Sequence, residues 1–132
     1  MKPINESLVY SLGPTVFRHG SVIRDGGLRC SEGWLSIIVD LVMKLEMRAR
    51  KTPPGQQQEI RCIKEKMGIL RVYVSQINKF DDLDIEKAVE KSKTTCEDCG
   101  GEGKPYSDGW MRTLCEPCVL NWKVVRQHAA RN

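Results

Sequence analysis

Cys96-Glu97-Asp98-Cys99 and Cys115-Glu116-Pro117-Cys118 are two C-x-x-C pairs with fifteen residues between them. A two-residue gap lets both thiolates of a pair reach one ion from a tight turn, and this spacing wraps a single tetrahedral Zn²⁺. Gly100 and Gly101 free the backbone to curl after Cys99, as a zinc knuckle requires. The competing readings are a redox dithiol in each C-x-x-C, or disulfides in a secreted domain. Four thiolates fill a tetrahedral shell, so the expected ion is structural. Metal-assisted hydrolysis needs three protein ligands and an open position. His19 and His128, the two histidines, stand away from ligand spacing and read as surface or packing residues.

The elements that must position these sulfurs follow from the flanking residues. Lys104 to Leu114 contains Asp108-Gly109 between two short stretches, which predicts a hairpin carrying the chain out and back. Glu116 and Pro117 suit the first turn of a helix, with Val119, Leu120, Trp122, Val124 and Val125 continuing behind them. Knuckle, hairpin and a helix whose start supplies the last two ligands predict a treble-clef finger in preference to an all-β ribbon. Tyr106 and Trp110 are either exposed contacts of this hairpin or plugs of the finger's small core, the second role suiting Trp110 better.

Upstream, the chain predicts an α+β core. Ser31 is a credible N-cap, and Trp34, Leu35, Ile37, Ile38, Leu41, Val42 and Leu45 recur at helical spacing through about Arg50. Thr52-Pro53-Pro54-Gly55 ends that helix, and Arg48, Arg50 and Lys51 complement its C-terminal dipole. Residues 59–65 and 69–74 predict a β-hairpin around Lys66-Met67-Gly68. A three-residue turn would set Ile60, Cys62 and Lys64 opposite Val74, Val72 and Leu70, giving one apolar face. Arg61, Ile63, Arg71 and Tyr73 would then share the other face, the kind of surface that grips phosphates, bases or a protein partner. Asp81-Asp82-Leu83-Asp84 opens a second helix to about Lys93. Met1 to Arg29 reads as irregular, with short β-like pieces at Leu8-Val9-Tyr10 and Val22-Ile23. The expected organisation is a core over residues 1–93 and a four-cysteine zinc finger with its C-terminal helix over 94–132, two lobes or one compact unit.

Composition narrows the function classes. No apolar run is long enough to span a bilayer, and Met1 to Pro14 lacks the layout of a signal peptide. The expectation is a cytoplasmic protein, with Cys30 and Cys62 serving as small buried hydrophobes. The formal net charge is +4, and four thiolates around a divalent cation lower it by two. Residues 1–80 carry thirteen basic and seven acidic side chains against eight and ten in residues 81–132, so the positive surface lies mostly outside the finger. No Gly-rich phosphate loop, Ser/His/Asp set or facing carboxylate dyad is present, which argues against an enzyme.

Gly33-Trp34, the stretch Lys64-Glu65-Lys66-Met67-Gly68-Ile69-Leu70-Arg71-Val72-Tyr73, Thr95 to Gly100, and Gly109 to Cys115 resemble a family of small uncharacterised proteins of bacteria and their phages. The similarity covers about residues 30–118. That family usually has an aromatic where this chain has Met67, and often histidine in place of Cys118; either group ligates zinc. The resemblance implies a phage or prophage origin and a protein that binds a host machine, for instance an inhibitor of a defence nucleoprotein such as a CRISPR complex. Three functional readings follow. The first is a zinc-stabilised module for a protein or nucleoprotein, contacting it through Arg61, Arg71, Tyr73, Tyr106 and Trp110. The second is a direct DNA- or RNA-binding finger using Lys123, Arg126 and Arg131 of the C-terminal helix, and the third a dithiol oxidoreductase. No small-molecule substrate or membrane partner is expected.

Overall fold

Asn5 opens the first element: its Oδ1 accepts the Leu8 N–H at 3.2 Å and caps helix α1, Glu6–Leu12. The structure is a computed structural model that describes residues 1–131, with side chains described through residue 123. A second short helix, α2, spans Ser21–Arg24. The N-terminal segment is therefore helical where β-like pieces were expected. The side-chain cap, and burial of Val9 and Val22 in the core, outweigh the weak strand preference of Leu8-Val9-Tyr10 and Val22-Ile23. The strand this region does supply is β1, Leu28–Arg29.

A single turn of 3₁₀ helix over Glu32–Trp34 leads into α3, Leu35–Arg50. Ser31 precedes that turn without a side-chain capping bond, so the helix starts later than its sequence signal. Ile38, Leu41, Val42 and Leu45 recur every three or four residues and are buried together, the stripe that holds α3 on the core. Full burial of each such side chain favours folding by roughly 1.5–3 kcal/mol. Lys51 caps α3, and Thr52 and the two prolines turn the chain away.

Strands β2, Ile60–Lys66, and β3, Ile69–Val74, form the expected hairpin. Its turn differs from expectation: Lys66 pairs with Ile69, leaving the two residues Met67 and Gly68 at φ +56° and +77°, the left-handed pair of a type I′ turn. The partners become Lys64 with Arg71 and Cys62 with Tyr73, and a bulge between Ile60 and Cys62 restores Ile60 opposite Val74. That extra residue lets both Ile60 and Ile63 reach the core, so the shorter turn does not scatter the apolar residues. β1 joins the other edge of β2 in parallel, giving the order β1-β2-β3.

Helix α4, Lys79–Ser92, begins two residues before Asp81 because Asn78 Oδ1 accepts the Phe80 and Asp81 N–H groups at 2.9 and 3.0 Å. α4 packs on α3 and β3, and α1 covers α3. The apolar core joins Trp34 and the α3 stripe to Ile60, Ile63, Leu70 and Ala88. Arg48 reaches across this packing, with Nε 2.7 Å from buried Asp81 Oδ1 and a second contact to Asp84. It is an interhelix tie as well as a C-terminal cation. The second hairpin, β4 (Lys104–Ser107) and β5 (Met111–Leu114), turns through Asp108-Gly109-Trp110. α5, Glu116–Arg131, completes this α+β arrangement. Among the described residues no helix is long and apolar enough to cross a membrane.

Candidate metal centre

The knuckle forms because the chain after Cys96 folds back on itself. Cys96 N–H donates to Gly101 O at 2.7 Å, and Gly100 N–H to Cys96 O at 2.9 Å. Gly100 takes φ +83°, open to a residue without Cβ. The turn aims amides at sulfur: Cys99 N lies 3.5 Å from Cys96 Sγ, and Gly101 N lies 3.4 Å from Cys99 Sγ. The second pair arrives on the start of α5, where Val119 N–H closes the first turn on Cys115 O at 3.0 Å.

All four Sγ atoms of Cys96, Cys99, Cys115 and Cys118 lie within 4.8 Å of one another, with those of Cys99 and Cys115 at 3.5 Å. A tetrahedral Zn–S₄ shell with bonds of about 2.3 Å has sulfurs about 3.8 Å apart. The donor set therefore fits a thiophilic cation such as zinc. Burial and the Cys115 sulfur push the Cys118 thiol up, whereas the Cys118 backbone amide draws Cys115 down. Four sulfurs this close cannot all ionise without a cation among them.

Around the sulfurs lies a joint that sequence reasoning missed. Gly33 N–H donates to Glu97 O at 2.9 Å, and buried Trp34 Nε1–H donates to Thr95 O at 2.9 Å. Arg112 Nη1 lies 3.1 Å from both Glu65 Oε1 on β2 and buried Glu97 Oε1 in the knuckle. Thr113 Oγ1–H donates to Gly68 O at 2.7 Å, and Gly68 N–H donates to the other oxygen of Glu65. The cysteine knuckle is thus fastened to the start of α3, and the hairpin between the two cysteine pairs to the turn of β2–β3. Gly33 and Trp34, Glu65 and Gly68, and Arg112 and Thr113 lie far apart in the chain, so no local spacing marks the joint.

The other expected residues scatter. Tyr106 is half-buried, edge-on to Trp122 at 5.8 Å, with Lys123 Nζ 5.0 Å from its ring centre. Both therefore pack the hairpin onto α5. Trp110, expected to plug the finger, is instead 61% exposed at the hairpin tip, because the three-residue turn carries it outward. Met67 and Met111 are exposed beside it, and the three share one surface depression with Arg112.

Arg71 and Tyr73 share a sheet face, but with Lys64 and Cys62, while Ile63 turns into the core. Arg61, on the bulge, lies 3.8 Å from Glu59. Arg126 and Arg131 are on α5 with side chains outside the described residues. His19 contacts Glu59, Nδ1 to Oε2 at 2.7 Å. Cys62 is buried as expected, with its sulfur 3.7 Å from Arg29, whereas Cys30 is half-buried. Compared with known proteins, the chain matches no family model, no curated protein and no solved structure.

Proposed function

We propose that this chain is a non-enzymatic binding module whose four-cysteine treble-clef finger, closed on one structural Zn²⁺, holds two hairpin tips side by side for a protein or nucleoprotein partner. The observation that carries this reading is the coupling of the sulfur cluster to an exposed apolar surface. Arg112 and Thr113, in the strand β5 that leads into Cys115, grip the β2–β3 turn. Met67, Trp110 and Met111 are left outside that grip, all exposed. A tryptophan flanked by methionines is the composition of an adaptable interface centre. Four sulfurs leave the ion no open coordination position, which favours a structural over a catalytic role.

The family resemblance adds a host nucleoprotein, as a defence complex would be, to the partners a cell would supply. Affinity purification of the tagged protein from its native cell, with and without nuclease, tests the reading. A specific partner is expected with wild type, and its loss with Trp110→Ala in protein that retains full zinc. Equal recovery by that variant would reject the tip surface.

A further inference from the structure

We propose that the outward face of the three-stranded sheet binds single-stranded nucleic acid through its phosphodiester backbone and bases. This rests on the chain being a binding module and names the ligand of a second face.

The register places three cations in a row. Arg29 of β1 is the partner of Lys64 in β2, and Lys64 is the partner of Arg71 in β3. Neighbouring strands run about 4.8 Å apart, so the row crosses the sheet at one level. All three stand on the same face, because side chains alternate and the intervening residues Leu28, Ile63 and Leu70 are buried on the other. Exposed Lys66 extends the row along β2. Among the described residues, the carboxylate paired with this row is Asp25, 2.8 Å from Arg29. Glu65 lies on the opposite face, taken by Gly68 and Arg112.

This arrangement works against the fold. Like charges directly opposite in an antiparallel pair are destabilising, and Lys64 with Arg71 is such a pair. Arg71 also keeps its Nε buried with no hydrogen-bond partner, a further cost to the fold. Tyr73 stands next in β3, 50% exposed, with Lys64 Nζ 5.6 Å from its ring centre. Cations to neutralise phosphates beside an aromatic on which a base can stack are the two requirements of single-strand recognition. A face that bound an acidic protein would need the cations but not the ring.

The test is fluorescence anisotropy of labelled oligothymidylate and oligouridylate with the full zinc-loaded chain, its metal content measured on the same sample. Binding to one or both strands is expected. Raising salt from about 50 to about 200 mM should weaken it about 20-fold, because three neutralised phosphates on a single strand give a log–log slope near −2. Tyr73→Ala should cost about tenfold through lost stacking.

Lys64→Glu should cost roughly tenfold or more, while its thermal midpoint holds or rises, since a like-charge pair becomes an attractive one. Affinities of both variants within twofold of wild type would overturn the inference. So would poly-glutamate binding as tightly as the single strands, or no binding to either strand at low salt by fully metallated protein. Missing zinc would count against the binding-module reading instead.

Discussion

Gly33 donates its N–H to the Glu97 carbonyl oxygen at 2.9 Å, joining the turn that opens the long core helix to the knuckle that carries two of the sulfurs. The approach is so close that a Cβ on Gly33 would overlap the carbonyl oxygens of Cys96 and Glu97. Trp34 beside it fixes Thr95 from the other side. Cysteine cluster and core therefore share one piece of backbone.

Gly33→Ala tests that sharing. Backbone atoms, unlike a flexible side chain, cannot swing aside, so the substitution should destabilise the protein by about 3 kcal/mol or more. Because the strain falls on the knuckle, zinc should also be released at lower chelator concentration. Chemical denaturation and competition with a chromogenic chelator measure the two effects. An unchanged midpoint in both would show that the joint yields freely.

Cys115→Ser should lose stoichiometric metal and unfold the C-terminal hairpin and helix, since metal-binding energy is local folding energy here. The loss should spread further, as Thr113 and Arg112 no longer brace Gly68 and Glu65. Elemental analysis and amide spectra of residues 60–74 are the readouts. Retained metal, or an undisturbed β2–β3 turn, would contradict this coupling.

The cysteine spacing was legible because each pair is local: two residues between sulfurs, and a glycine pair to close the turn. α3, α4 and both hairpins were legible from periodicity and turn residues for the same reason. What escaped was decided by residues far apart in sequence. The β2–β3 turn takes two residues because Glu65 and Thr113 hold it and a bulge at Ile60/Cys62 repairs the register. α1 forms where Asn5 caps it and Val9 finds α3 to pack on. Trp110 points outward because Ser107 and Met111 close the strand pairs around a three-residue turn. Arg112, Glu65 and Glu97 are ordinary surface types by composition, and only the docking of the β4–β5 hairpin on the β2–β3 turn brings them together.

Met67 sits at φ +56°, a conformation costing a non-glycine residue roughly 1 kcal/mol. Met67→Gly should therefore stabilise the turn, by about 0.5–1 kcal/mol, while deleting an exposed side chain from the tip surface. A gain in stability together with weaker partner recovery is expected from denaturation and pull-down. Reduced stability would mean that Met67 packs in the fold rather than serving a partner.

Glu46 gives the acid limb of the stability curve. It is buried on α3, and burial alone would raise its pKa. The Val16 and Thr15 amides at 3.0 Å and Arg50 Nε at 2.9 Å outweigh that and hold the carboxyl below the usual range. A carboxylate depressed in the folded state stabilises fully above its unfolded pKa, and that contribution is lost as pH falls through the folded value. Folding stability should therefore drop with acid below about pH 4.5, the ordinary value for glutamate. Glu46→Gln removes the charge but not the shape. It should cost about 1–3 kcal/mol near neutrality, the worth of hydrogen bonds to a charged group, and flatten the acid slope. Denaturation midpoints of wild type and variant across the acid range, compared as their difference so that zinc release common to both cancels, decide it. Parallel curves would assign the slope to other carboxylates and leave Glu46 only its packing role.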